Sequence, residues 1–217
     1  YLLRNGLMVP ALQRQVETDP KTGLFNTRHF MEKINEEFAR AHRFDRPLTL
    51  VMSDLDLLRE INNNYGHLAG DVVLKGVADI LKYSSRDYDL VARFGGEEFA
   101  ILMPETSLVE ACLFIEEIRH KIENAEFTVL TSATPIKVTM SFGIAQFQWH
   151  DKRVDELIHR ADMAVYQAKQ GGRNRVCVFE PAFESVATGS TTAPSRQGPE
   201  FEPNKSQSID KLLATLS

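Results

Sequence analysis

Gly95-Gly96-Glu97-Glu98 stands between two apolar runs, Asp89-Leu90-Val91-Ala92 and Phe99-Ala100-Ile101-Leu102-Met103. A glycine turn between strands brings bare backbone close to a ligand, and an acid beside it offers oxygen to a divalent cation. Earlier in the chain, Ser53-Asp54-Leu55-Asp56 closes the apolar run Leu48-Thr49-Leu50-Val51-Met52, so another carboxylate waits at a strand end. Two such carboxylates can share Mg²⁺ on a triphosphate. Lys169 and Arg173 lie four apart, where a helix pattern runs into Gly171-Gly172. Cations there can reach phosphate oxygens or simply complement a helix C-terminus.

The elements that must position these groups alternate in type. Strands are expected over 48–53, 89–93, 98–103, 137–147 and 175–179. Helices are expected over 58–64, 70–83, 107–124 and 154–170, and Phe30, Ile34, Phe38 and Ala41 give segment 28–43 an apolar helical face. Hairpin-linked central strands with helices between the others predict an α/β (α+β) sheet covered by helices. Thr18-Asp19-Pro20-Lys21-Thr22-Gly23 is a turn cluster. Before it, Leu2, Val9, Leu12 and Val16 fit either the end of a connecting helix over residues 1–18, interrupted by Gly6 and Pro10, or a frayed terminus. From Ser185 on, Ser, Thr, Pro, Gly, Gln and Asn dominate, so 185–217 reads as a linker and tail. Its short apolar end, Ile209 to Leu216, could lead into another domain.

Composition narrows the classes. With 25 Lys and Arg against 30 Asp and Glu, the net charge of −5 gives no basic field for nucleic acid. Cys112 and Cys177 have no Cys or His at ligand spacing, which argues against zinc or a disulfide framework and fits a reducing cytoplasm. No stretch reaches the apolar length of a membrane span, and a start at Tyr1 suggests a piece of a longer protein whose sensor or membrane segment lies elsewhere.

Several further motifs carry a family resemblance. Asp19-Pro20-Lys21-Thr22-Gly23-Leu24-Phe25-Asn26, Tyr65-Gly66-His67-Leu68-Ala69-Gly70-Asp71, Ser141-Phe142-Gly143-Ile144-Ala145, Ala161-Asp162 and Ala168-Lys169-Gln170-Gly171-Gly172-Arg173-Asn174-Arg175 appear in order. With Arg93-Phe94-Gly95-Gly96-Glu97-Glu98-Phe99, they make the chain resemble the GGDEF family of diguanylate cyclases in its GGEEF spelling. The resemblance implies a catalytic domain over residues 19–184 with a ferredoxin-like βααββαβ palm. That palm has a mainly antiparallel sheet flanked by helices, similar to class III nucleotide cyclases. It implies bacterial signalling through condensation of two GTP into cyclic di-GMP, with release of two pyrophosphates.

The resemblance also assigns residues. Asp54, Glu97 and the Leu55 carbonyl would hold Mg²⁺, or Mn²⁺, and Glu98 would add a carboxylate for metal contact, proton acceptance or electrostatics. Asn62 and Asp71 would read the guanine edge, whose N1–H and N2–H₂ donors suit a carboxamide and a carboxylate. Read alone, Asn62 is a helix-ending turn residue. Asp71 favours two guanines, since mixed-purine relatives carry a small hydroxyl residue there. Gly95 and Gly96 would face substrate, and Arg59, Lys169 and Arg173 would take phosphates. Arg86-Asp87-Tyr88-Asp89, by spacing a surface ion pair, supplies an RxxD inhibitory site in which Arg86 and Asp89 bind product. Where a partner surface commonly offers an arginine, Glu116-Glu117 stand here, with Arg119 the nearest replacement.

Leu58-Arg59 and Asn63 depart from the family's usual Phe-Lys and Asp, which predicts weakened rather than lost activity. One domain holds one GTP while the product joins two, so a homodimer is required, aligned or separated by an upstream sensor. The rivals are an idle GTP or cyclic di-GMP receptor and a purine cyclase of altered base choice. His67 and the other histidines read as structural.

Overall fold

A continuous apolar run with no alternation is the pattern of a strand covered on both faces, and Leu48–Leu55 is buried along its whole length at the centre of the sheet. The computed structural model describes residues 17–129 and 132–179. In chain order it contains β1 (Phe25–Asn26), α1 (Thr27–Phe44), β2 (Leu48–Leu55), α2 (Leu58–Tyr65), α3 (His67–Ser84), β3 (Leu90–Arg93), β4 (Glu98–Pro104), α4 (Leu108–Asn124), β5 (Met140–Gln146), α5 (Val154–Gln170) and β6 (Val176–Val178).

The sheet runs β1-β3-β4-β2-β5-β6. Its three central pairings are antiparallel, and β1 with β3 and β5 with β6 are parallel. From β2 to β5 the order is the expected βααββαβ palm. Helix ends are set locally: the Asn26 side chain accepts from His29 N–H at 2.9 Å to start α1, and Ser107 and Glu110 form a reciprocal capping box on α4.

Strand alternation splits the core. Leu48, Leu50, Met52, Ala100 and Leu102 pack with Phe30, Ile34 and Phe38 of α1 and with Leu157, Ala161 and Val165 of α5. The alternate set, including Val51, Leu55, Phe99, Ile101 and Phe142, is buried on the opposite face. Gly143 of β5 lets α5 lie directly on the sheet. A Cβ there would stand 2.3 Å from both the Ala161 carbonyl oxygen and the Val165 nitrogen. That approach fixes the helix whose last turn carries Lys169.

The expected strand over 137–147 begins only at Met140. Met140 pairs with Leu55, the last residue of β2, so residues before it have no neighbouring strand. Ile136 instead makes an isolated bridge with Phe127. The two-residue β1 was not foreseen. The connecting helix expected over 1–18 lies outside the described residues except for its last two, as do the linker and tail expected over 185–217. No helix among the described residues is long and apolar enough to cross a membrane.

Candidate functional site

The register of β2 against β4 sets Asp54 opposite Glu98, the first residue of its strand. Leu55 N–H continues this contact into the turn by donating to the Glu97 carbonyl at 3.0 Å. The turn is closed by Phe94 and Gly95 N–H, which donate to the Glu98 carbonyl at 2.8 and 3.2 Å. Neither Gly95 nor Gly96 adopts a left-handed φ. Glycine serves space here: a Cβ on Gly95 would lie 2.2 Å from Glu98 Oε2, and Gly96 faces open space.

Arg93 clamps this turn. Its Nη2 donates to the Gly96 carbonyl at 2.7 Å, and its Nη1 reaches the Asp19 carboxylate at 3.2 and 3.3 Å. Asp19 also accepts from Thr22 N–H and Oγ1 at 2.8 and 2.7 Å. Burial alone would raise the Asp19 carboxyl, but Thr22 and the Arg93 cation outweigh it and hold it below the usual range.

Asp54 is 6% exposed, and Lys169 Nζ stands 2.7 Å from its Oδ2. Burial pushes the Asp54 carboxyl above its usual range despite Lys169 and the more distant Arg173. Burial likewise raises Glu97, helped by the charge of Asp54 and then of Glu98. The Asp54 charge thus disfavours ionisation of Glu97 where one ammonium already sits. This place favours further positive charge. Among the described residues no three His, Cys, Asp or Glu side chains form a closed metal cage. Two carboxylates and a backbone carbonyl suit a cation that completes its shell with water and phosphate oxygens, the habit of Mg²⁺. A cleft of about 210 Å³ adjoins Asp54 and is lined also by Phe94, Glu98, Asp162, Tyr166 and Lys169.

A second pair forms where α2 meets α3. Asn62 packs so closely on the first turn of α3 that a Cβ on Gly70 would fall 2.0 Å from its Oδ1. Asp71 follows, with its Oδ1 2.6 Å from Lys21 Nζ. Arg59 is exposed on α2, and Arg173 is exposed just beyond α5.

The third place is separate. Asp89 Oδ2 accepts from Arg86 N–H at 2.9 Å, while its Oδ1 is buried without a hydrogen-bond partner among the described residues. Burial raises the Asp89 carboxyl, against the pull of Arg86. The Arg86 guanidinium lies over Tyr88, 5.8 Å from the ring centre, beside a cavity of about 760 Å³ that reaches Glu17 and Leu24. Arg119 does not serve this place. It is 7% exposed and bound to Glu116, Glu123 and Asn174.

Sequence reasoning missed Asp56. It is 4% exposed and accepts from Ser141 Oγ and Thr139 Oγ1, both at 2.7 Å, and from Asn174 N–H at 3.1 Å. The only signal was two hydroxyl residues two apart, Thr139 and Ser141, near the start of the strand expected over 137–147. The Asp19–Arg93 clamp joins residues far apart in sequence and left no local trace.

The family model described as "Diguanylate cyclase, GGDEF domain" matches residues 16–175. Diguanylate cyclase DgcP of Pseudomonas aeruginosa is 41% identical over 159 residues, 73% of this chain and 23% of that protein. Response regulator PleD of Caulobacter vibrioides is 37% identical over 159 residues, covering 73% and 35% respectively. The chain thus spans about a quarter to a third of the length of these curated relatives. Among solved structures, the coiled coil and GGDEF domain of DgcB from Caulobacter crescentus, in complex with c-di-GMP, superposes with a TM-score of 0.77. It is 27% identical, and the match covers 82% of this chain and 93% of that one.

Proposed function

The chain belongs to the GGDEF family of diguanylate cyclase domains, and from that premise we propose that it condenses two GTP into cyclic di-GMP and two pyrophosphates as a homodimer. The observation that carries this reading is Lys169 Nζ standing 2.7 Å from the buried Asp54 carboxylate, whose charge also acts on Glu97 in the glycine-acid turn. Mg²⁺, replaceable by Mn²⁺, would be held by Asp54, Glu97 and the Leu55 carbonyl, and would neutralise phosphate charge as pyrophosphate departs. Lys169 and Arg173 grip the β- and γ-phosphates, and Arg59, exposed on α2, is the third cation assigned to the triphosphate. Asn62 and Asp71 orient guanine, which requires Lys21 to share or release the Asp71 carboxylate. Glu98 shapes the field beside the reacting phosphate.

Each domain presents one nucleotide to its partner. The 3′-hydroxyl of one GTP gives its proton to water or a neighbouring carboxylate as its oxygen bonds to the α-phosphorus of the other, the bond from that phosphorus to the β-bridging oxygen breaks, and the exchange repeats in the opposite sense. Positioning by the two-fold pair supplies much of the rate. The Asp89 Oδ1, without a partner among the described residues, and the Arg86 guanidinium support product binding at a second site, since the product offers guanine N–H donors to the first and a phosphate or guanine Hoogsteen edge to the second. Product bound there would hold two domains in an unproductive arrangement. In the full protein the domain would work in the cytoplasm under an upstream sensor.

Replacing Glu97 by Gln tests the reading. It should abolish turnover, a loss of at least about a hundredfold, while the melting temperature stays close to that of the parent. Undiminished cyclisation by Glu97→Gln would remove the metal assignment.

A further inference from the structure

We propose that Asp56 and Asn174 are positioning residues for Arg173, setting the phosphate-binding cation at a fixed distance from the strand that ends in Asp54. The inference rests on the phosphate role given to Arg173 above. Gly172, Arg173 and Asn174 follow one another with φ of 111, 63 and 47°, all in the left-handed region. Non-glycine residues avoid that region, and successive ones are rare, so the turn persists only because its surroundings hold it. The direction of Arg173 therefore depends on those ties.

The ties converge on one buried carboxylate. Asp56 Oδ2 accepts Asn174 N–H at 3.1 Å and Thr139 Oγ1 at 2.7 Å, and Oδ1 accepts Ser141 Oγ at 2.7 Å. Asp56 N–H donates to the Thr139 carbonyl at 3.0 Å, so the same residue anchors the end of β2 to the start of β5. From the other side, Asn174 Oδ1 accepts from Arg119 Nη1 at 2.8 Å, and Asn174 Nδ2 donates to Glu123 Oε1 at 2.7 Å. Arg173 N–H closes back on the Ala168 carbonyl at 3.0 Å. Asp56 stands two residues beyond Asp54, so one side chain spans the strand of carboxylates and the turn of cations. An Asn at position 56 keeps the shape but turns one acceptor into an amino group. The amide can turn its oxygen toward Asn174 N–H and its amino group toward Ser141 Oγ, so the variant weakens this tie by removing the negative charge rather than by cutting it.

The test compares GTP and GMP binding by competition, because only GTP carries the phosphates that Arg173 reaches. Asp56→Asn should weaken GTP about tenfold, in line with a misplaced charge-assisted contact, and leave GMP within about twofold. Added to Arg173→Ala, Asp56→Asn should cause no further loss for GTP. Asn174→Ala, which disfavours the left-handed turn while leaving the carboxylate, should give the same selective loss. Asn174→Gly, which favours that turn, should lose less. Equal losses for GTP and GMP, additive losses with Arg173→Ala, or GTP affinity unchanged in Asp56→Asn and Asn174→Ala would overturn the proposal. If Asp56→Asn does not fold, the Asn174 pair decides alone. An Arg173→Ala variant that binds GTP normally would instead overturn the phosphate assignment itself, and the inference with it.

Discussion

Single carboxylates carry opposite pH signatures in this domain. Asp54 and Glu97 are raised, chiefly by burial. Both must be ionised to hold a divalent cation, so cation-dependent GTP binding should fade, as pH drops from neutrality, at a higher pH than ordinary carboxylates would give. Lys169→Ala removes a cation that lowers Asp54 and should move that acid limb further up. A limb unmoved by the substitution would contradict the electrostatic account. Asp19 runs the other way. Its folded carboxyl is lowered, so its contribution is present above the usual carboxylate range and is lost as pH falls through the folded value. Asp19→Asn should destabilise the fold by about 1–2 kcal/mol at neutral pH, with the gap from wild type closing in acid. Denaturant midpoints across pH would check this, and a gap constant with pH would refute it. At this scale Asp54 and the glycine-acid turn were legible because they end apolar runs. Asp56 was not, because its partners Thr139, Ser141 and Asn174 lie on distant segments.

Among the elements, the helices expected over 107–124 and 154–170 are α4 and α5, and α1 was readable from the helical spacing of Phe30, Ile34, Phe38 and Ala41. β1 was not, since two residues carry no period, and it exists only by pairing with Ala92 and Arg93. The start of β5 was placed too early because Ile136, Val138 and Met140 alternate like a strand, while the partner β2 ends at Leu55. Partner length, not local pattern, sets such a boundary. The seating of α5 on β5 is the element-scale dependence most exposed to a single change. Gly143→Ala drives a methyl into helix backbone and should cost about 1–3 kcal/mol. It should also lower turnover beyond that loss, because α5 carries Lys169. A melting temperature and activity equal to wild type would mean that the helix is not seated by this contact.

The described residues offer one set of the groups proposed for guanine, phosphate and cation, whereas the proposed product contains two guanylate units. A chain that works in this way is idle as a monomer and active as a pair, and any device that aligns pairs becomes its control. The curated relatives are longer than this chain, which spans 23% and 35% of two of them. The most direct test of the central claim is incubation of the purified chain with GTP and Mg²⁺ over a series of protein concentrations, with nucleotides separated by chromatography. Cyclic di-GMP and pyrophosphate should appear at a rate rising more than linearly with protein until the pair saturates. GTP that stays bound and unchanged, even when two domains are joined by an added dimerising segment, would contradict the cyclase and leave a nucleotide receptor in its place.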